Sequence, residues 1–258
     1  MSDQPNPSLY GEEPAPAAPT KAPGLLDQII GVFTEPTALF QKLRRSPSFW
    51  PSLILAIAIG IAASLVWAAK VDMVEVTRHQ METTRDLFRA NIPDEAVDSA
   101  LQKAEGKHPW VSSVLGPLFG TPVVFLIVAL IVWAFASMGT EDDQAAPTFP
   151  QALSVTCVHY LTTLPGMLLA GIVALLAPVG ARQIQHLVPT SLGFYIHPEA
   201  YSLKGLVGLV DVLWFLSFVV LAIGMRHTLR TKTWAIAAAL VFFAVFGGAF
   251  RFLGGMFS

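Results

Sequence analysis

The chain has 258 residues, of which 53% are hydrophobic and only 13% are charged, and its mean hydropathy is +0.57. Soluble domains carry roughly 25% charged residues, so this composition excludes an ordinary water-soluble fold. The net charge of -2 gives no indication of a nucleic-acid partner, and the single cysteine excludes an intrachain disulfide.

The first 24 residues contain six prolines and lack the basic start and apolar core of a signal peptide. Such a segment has little apolar surface to bury, so residues 1–24 are expected to form a disordered cytoplasmic tail. A short docking segment around Leu9 and Tyr10 is the alternative to a tail without function. Residues 25–258 are expected to form one membrane domain.

Two apolar stripes follow one another at helical spacing between residues 25 and 45. Their members are Leu25, Leu26, Ile29, Ile30 and Phe33, then Leu39, Phe40 and Leu43. The stripes predict an amphipathic helix that lies on the cytoplasmic face of the bilayer. Basic side chains beside the second stripe are predicted to contact lipid head groups, with a tryptophan at the interface. These residues are Lys42, Arg44, Arg45 and Trp50.

Five apolar stretches approach the roughly 20 residues that a helix needs to cross a bilayer core about 30 Å thick. The predicted spans are about 51–69, 111–138, 151–177, 205–225 and 233–257. Helices satisfy their own backbone groups in lipid, and the runs are too long and too uniformly apolar for barrel strands. The expected fold class is therefore all-α, a polytopic membrane protein with five transmembrane helices.

The segment between the first two spans is expected to form a helical hairpin outside the bilayer, at about 70–106. Val74, Met81 and Leu87 have near-helical spacing, and a second helix is predicted to start at Pro93. The first span is expected to extend out of the membrane as a helix and to turn near Asn91. A structural extension without a ligand is the plainer interpretation of this hairpin.

Basic residues that flank the spans indicate the orientation. They are Lys42, Arg44 and Arg45 before the first span, and Arg226, Arg230 and Lys232 between the fourth and the fifth. The positive-inside rule places both clusters in the cytoplasm, with the N-terminus inside and the C-terminus outside. The loop at 70–109 holds six basic residues and works against this orientation.

Three stretches resemble one family. GVFTEPTALFQKLRRSPSFWPSLILA, at 31–56, resembles the segment that leads into the first span of the bacterial Yip (Ypt-interacting protein) domain membrane proteins. TFPQALSVTCVHYLTTLPGMLLAGIVALL, at 148–176, and LVDVLWFLSFVVLAIGMRH, at 209–227, are similar to the third and fourth spans of that family. The resemblance covers about residues 25–253.

The resemblance implies a five-span fold in the cell (inner) membrane and a role without catalysis. Eukaryotic members of the wider family associate with small Rab-type GTPases and shape or sort membrane. Their Asp-Leu-Tyr-Gly-Pro motif is absent here, and only Ser-Leu-Tyr-Gly at 8–11 is similar to it. The resemblance therefore supports the fold more strongly than it supports a GTPase partner.

Ionisable residues inside apolar spans are candidates for function because their burial in lipid is costly. Asp211 in the fourth span and Arg251 in the fifth are expected at similar depth, so the two side chains are predicted to pair if the helices are neighbours. A pair that stabilises helix packing is one interpretation, and a coupling or substrate site is the other.

The third span contains a polar group beside a proline. Pro165 is predicted to kink the helix and to free the carbonyl near Leu161. Its polar neighbours are His159, Tyr160, Thr162 and Thr163. They are predicted either to line a small polar cavity or simply to hydrogen-bond to a neighbouring helix.

Catalytic and metal-binding motifs are missing from the sequence. His159 has no second ligand at metal spacing, and Cys157 stands two residues from it, on another side of a helix. The chain is therefore expected to be no enzyme and to need no cofactor. A non-enzymatic protein acting through protein partners or on membrane organisation is the first hypothesis, with the lipid bilayer as partner and homo-oligomerisation left open. A small-solute or ion carrier that uses the kinked third span and Asp211 is the alternative.

Overall fold

The structure is a computed structural model, and it describes residues 21–89, 91–106, 109–140, 145–176, 188–196, 203, 206–207 and 209–256. The regular structure of these residues is helical, and they form isolated bridges but no strand. The all-α fold class is therefore confirmed. Most of the predicted N-terminal tail lies outside the described residues.

Two short helices precede the first long one. They are α1, Leu25–Thr34, and α2, Pro36–Arg45, and they are followed by α3, Trp50–Lys70. The chain turns between α1 and α2 at Glu35, where φ is -141° and ψ is 60°. Pro36 suits the first position of α2, since a helix has no use for an amide hydrogen there. The single amphipathic helix predicted for this region is therefore two helices.

The helix after the first long one is a separate element. The next two helices are α4, Met73–Phe88, and α5, Asp94–Ala104, which pack on each other. Val71 is extended, and the Asp72 carboxylate accepts hydrogen bonds from the amides of Val74 and Glu75 at 2.9 and 3.2 Å. In an unbroken helix the amide of Val74 would donate to the carbonyl of Lys70, and that of Glu75 to the carbonyl of Val71. The prediction that α3 continues outward unbroken is therefore wrong.

Three described helices are long and apolar enough to cross a membrane. They are α3, the continuous helix Trp110–Met138 and the part Thr233–Phe250 of the last helix. Trp110–Met138 consists of α6, Trp110–Leu115, a π-helical turn at Gly116–Gly120, and α7, Thr121–Met138. The last helix, α11, is Thr233–Met256.

The other two predicted spans differ from the expectation. The third is divided into α8, Phe149–Tyr160, and α9, Leu164–Leu176, which are bent by 40° and make a fourth candidate span only if counted together. The fourth, α10, is Val212–His227, and its 16 residues are fewer than a span needs. The described residues thus hold three or four candidate spans, and the prediction of five is not confirmed.

Each difference has a local cause. The third span breaks at 161–163, before Pro165, so the proline stands in the first turn of α9, where its missing amide hydrogen is tolerated. The fourth was expected to begin at 205, but Asp211 is extended, with φ -141°, and caps a helix that begins at Val212. Asp211 is therefore the cap of α10, and its depth in the membrane stays a prediction.

One end of the bundle contains the last residues of α2, α7 and α10 and the first residues of α3, α8 and α11. We term it the basic end. Its basic residues are Lys42, Arg44, Arg45, Arg226, Arg230 and Lys232. Five of the largest fully buried side chains lie on helices that meet here, namely Phe40 and Leu43 on α2, Val155 on α8, and Leu221 and Met225 on α10. Helix α2 therefore packs inside the protein, and the prediction that its apolar stripe lies on the bilayer is wrong.

Candidate membrane-contact site at the basic end

Two hydrogen bonds fix α2 at the basic end. The Gln151 amide oxygen accepts from the backbone amide of Thr148 at 2.9 Å, and its Nε2 donates to the carbonyl of Arg44, also at 2.9 Å. One side chain thus caps the start of α8 and the end of α2. On the other side, Thr228 Oγ1 donates to the carbonyl of Phe40 at 2.8 Å. The backbone of α2 is therefore held between α8 and the end of α10.

The basic side chains of α2 point away from this buried face. Lys42 and Arg45 are exposed and Arg44 is half-buried. Burial, and then the neighbouring charges of Arg230 and Arg45, lower the pKa of Arg44 from its ordinary value. Arginine side chains stay protonated in proteins at neutral pH, so each arginine of the cluster carries a positive charge.

Helix α1 is attached to the start of α3 through a buried amide. Gln28 is fully buried, and its Nε2 donates to the carbonyls of Pro23 and Ser48 at 3.1 and 2.9 Å. Its Oε1 accepts a hydrogen bond from Ser52 Oγ, in the first turn of α3. Because both hydrogen-bonding ends of the amide are used, α1 has a fixed position beside the beginning of the first span.

The opposite face of α1 is apolar and uncovered. Leu26 is 71% exposed and Ile30 59% exposed, and Leu25 and Phe33 on the same helix are exposed as well. Trp50, which opens α3, is 62% exposed. Since Gln28 holds α1 at the level of Ser52, this apolar face and Trp50 lie near the same end of the first span.

The Yip1 domain matches residues 30–253 of the chain. The chain belongs to the Yip1 domain family. The match includes α2 and the apolar helices that follow it, which makes this a membrane protein of that family and confirms the resemblance read from the sequence.

A relative of this Yip1-family chain is the membrane protein YknW of Bacillus subtilis (strain 168). The two are 25% identical over 234 residues, which are 88% of this chain and 92% of YknW. No solved structure matches the chain.

Of the predicted polar pair, the structure describes the side chain of one member, Asp211. Asp211 is 5% exposed, and its carboxylate accepts from Thr190 Oγ1 at 3.1 Å and from the backbone amide of Leu213 at 3.0 Å. The bond from Thr190 joins the start of α10 to the segment at 188–196. The side chain of Arg251 lies outside the described residues, so the pair stays a prediction.

The polar residues of the third span meet at the break between α8 and α9. The hydroxyls of Thr162 and Thr163 donate to the carbonyls of His159 and Tyr160 at 2.7 and 2.8 Å. The Tyr160 hydroxyl donates to Met167 Sδ at 3.6 Å. The threonines therefore satisfy the last turn of α8, and the polar cavity stays a prediction. The described residues hold no group of three or more metal-ligating side chains.

Three functional side chains were not predicted from the sequence: the buried Gln28, and Gln151 and Thr228 with their hydrogen bonds. Gln28 carried a signal, because it follows Leu25 by three residues and precedes Val32 by four, which places a polar residue on one face with apolar ones. Gln151 also carried a signal, since it stands three residues after Thr148 in a capping-box pattern. Thr228 carried none, as its partner is 188 residues away in the chain.

Proposed function

We propose that the chain is a non-enzymatic protein of the inner membrane, with its N-terminus in the cytoplasm, that acts on membrane organisation through helix α1. The carrying observation is the exposed apolar face of α1 beside the start of a candidate span. An amphipathic helix at a bilayer surface buries such a face among the acyl chains beneath the head groups. Because Gln28 fixes α1 to the bundle, the helix adds volume to one leaflet at a fixed place.

The basic end supports the proposed orientation. Its six basic residues adjoin the starts of α3 and α11, where the positive-inside rule favours the cytoplasm. Lys42, Arg44, Arg45 and Trp50 then contact lipid head groups. A protein partner, of unknown identity, and a homo-oligomer are further parts of this proposal, and the apolar surface of the helices is the place where either would dock in the membrane.

The carrier alternative would use Asp211 and the 40° bend between α8 and α9. Thr190 Oγ1 and the backbone amide of Leu213 both donate to Oδ1 of Asp211, which gives this carboxylate a role in capping α10. A proton, ion or solute flux in reconstituted liposomes that Asp211→Asn abolishes would nevertheless establish a carrier.

Vesicle remodelling tests the role of α1. The full chain and the variant Leu26→Glu/Ile30→Glu are reconstituted at equal density, and vesicle diameters are measured by electron cryomicroscopy. We expect the native chain to shift the diameters downward and the variant to lose the shift. Thr37→Glu, which adds charge at an exposed polar position of α2, is the control. Equal diameters for the native chain and the α1 variant would contradict the proposal.

Cysteine labelling tests the orientation. The native thiol, Cys157, is buried, so a new cysteine can be read above a low background. Ser99→Cys on α5 and Thr233→Cys at the start of α11 are both exposed positions. We expect an impermeant maleimide to label position 99 from outside intact cells and position 233 only in inverted vesicles. The reverse pattern would exclude a cytoplasmic N-terminus.

A further inference from the structure

Arginines from two parts of the chain meet at the basic end. Arg44 and Arg45 belong to the last turn of α2, and Arg230 lies in the link between α10 and α11. The hydrogen bond from Thr228 Oγ1 to the Phe40 carbonyl, 2.8 Å long, ties that link to α2. Arg44 follows Phe40 by one helical turn and Arg230 follows Thr228 by two residues, so the tie brings their side chains to one place.

These arginines have no ion-pair partner in the described part of the chain. None of Arg44, Arg45 and Arg230 forms a salt bridge there. Arg44 and Arg230 are half-buried, which leaves each guanidinium partly accessible. Gathering like charges at a partly desolvated place is unfavourable unless an anion joins them.

The backbone at Arg230 is unusual. Its φ is 52°, in the left-handed region, which glycine and asparagine adopt with less strain than arginine. Strained residues that the surrounding structure holds in place are concentrated at functional sites. A long cationic side chain therefore stands where the turn alone would favour a smaller residue.

Two exposed tryptophans indicate where the three arginines lie relative to the membrane surface. Trp50 opens α3 and Trp234 stands in the first turn of α11, and they are 62% and 55% exposed. Tryptophans are enriched at membrane–water interfaces. Arg44 and Arg45 precede Trp50 by six and five residues, and Arg230 precedes Trp234 by four, which places the arginines at head-group level.

We propose that Arg44, Arg45 and Arg230 together bind the phosphate group of an anionic phospholipid. The planar guanidinium fork matches phosphate oxygens in a bidentate manner, and two arginines from different elements give the site a defined geometry. This inference rests on the proposed function, since it requires the basic end to lie at the bilayer surface. It adds a specific site to the head-group contacts.

Native mass spectrometry of the full chain in neutral detergent tests the site. Phosphatidylglycerol, phosphatidylcholine and inorganic phosphate are added separately and in competition. We expect a preference for phosphatidylglycerol over phosphatidylcholine, and an affinity for phosphatidylglycerol about tenfold or more weaker in Arg44→Gln/Arg230→Gly. Glycine at 230 relieves the left-handed backbone, so the variant keeps its fold. Arg85→Gln, on α4, is the matched control and keeps the native affinity.

Three results would overturn the proposal. Native affinity in Arg44→Gln/Arg230→Gly would show that the arginines do not bind the lipid. Displacement of the lipid by inorganic phosphate at equal concentration would assign the site to soluble phosphate. A thermal midpoint that falls in Arg44→Gln without lipid would show that this arginine pairs within the chain.

Failure of this site and failure of the proposed function give different results. Leu26→Glu/Ile30→Glu leaves the arginines intact, so it keeps the preference for phosphatidylglycerol even if vesicle remodelling is not observed.

Discussion

The basic end and the α4–α5 pair are held together by different kinds of contact. At the basic end, hydrogen bonds join Gln151 to Arg44 and Thr228 to Phe40, across 107 and 188 residues of chain. In the α4–α5 pair, the ion pair between Arg85 and Asp94 joins residues nine apart, with side chains 47% and 92% exposed.

The difference shows where the fold is determined. The bond of Thr228 is buried and that of Gln151 partly buried, and breaking either removes the partner of a group with little access to water. An exposed ion pair is screened by solvent and is easily replaced by hydration. Of these two regions, the basic end is therefore expected to be the more stable and the α4–α5 pair the more easily opened.

The largest expected loss of stability follows from truncating a side chain in the buried apolar stripe of α2. Phe40 is fully buried and Phe33 on α1 is 46% exposed, so the two form a matched pair. We expect Phe40→Ala to lower the free energy of unfolding by about 3 to 5 kcal/mol and Phe33→Ala by about 1 kcal/mol or less. Thermal unfolding in detergent measures both. Equal losses would mean that α2 lies on the bilayer after all.

The next effect concerns the attachment of α1. Gln28→Leu keeps the size of the side chain but leaves the carbonyls of Pro23 and Ser48 and the Ser52 hydroxyl without their partner. We expect a loss of about 2 kcal/mol and faster proteolysis between α1 and α3. Gln41→Leu, at an exposed position on α2, is the control. Unchanged proteolysis in Gln28→Leu would show that α1 is held by other contacts.

A smaller effect is expected where α10 approaches its neighbours. A Cβ at Gly224 would lie 2.7 Å from Val155 Cγ1 and 3.0 Å from Phe40 Cε1, whereas a Cβ at Gly120 would meet nothing within 4 Å. Overpacking costs about 1 to 3 kcal/mol, and the helix preference of alanine offsets about 1 kcal/mol. We expect Gly224→Ala to lower the stability by about 1 kcal/mol and Gly120→Ala to leave it equal or higher, in the same unfolding assay. A stabilised Gly224→Ala would show that α10 can move away.

The sequence predicted which stretches form helices better than it predicted how those helices pack. The first, second and fifth apolar stretches contain helices close to the expected bounds, since length and absence of charge are local properties. The break near Val71 depends on the Asp72 carboxylate, which accepts from two backbone amides, and the break before Pro165 depends on the amide hydrogen that proline lacks. Hydropathy records neither of these local effects.

The apolar stripe of Leu39, Phe40 and Leu43 shows how far the candidate site could be predicted from the sequence. Helical spacing tells which face of α2 is apolar, and that face would look the same whether lipid or protein covered it. The protein covers it because α8 and α10 return to α2 from more than 100 residues away. The contact of Asp211 could not be predicted from the sequence either, since its partner Thr190 lies 21 residues before it and outside any apolar run.

The smallest expected effect belongs to the ion pair of the α4–α5 pair. Arg85 Nη2 lies 3.1 Å from Asp94 Oδ1 and also donates to the Ile92 carbonyl at 2.8 Å. Exposed pairs contribute about 0.2 to 1 kcal/mol, so a double-mutant cycle of Arg85→Gln and Asp94→Asn is expected to give a coupling near the lower value.

Salt dependence separates the two bonds of Arg85. The coupling to Asp94 should fall as salt rises from 0.05 to about 0.5 M, because the screening length then becomes comparable to the distance between the charges. Arg85→Gln should remain the more costly single change, since it also removes the bond to the Ile92 carbonyl. A coupling above about 2 kcal/mol that does not respond to salt would mean that α4 and α5 are joined as firmly as the basic end, and the contrast between the two regions would fail.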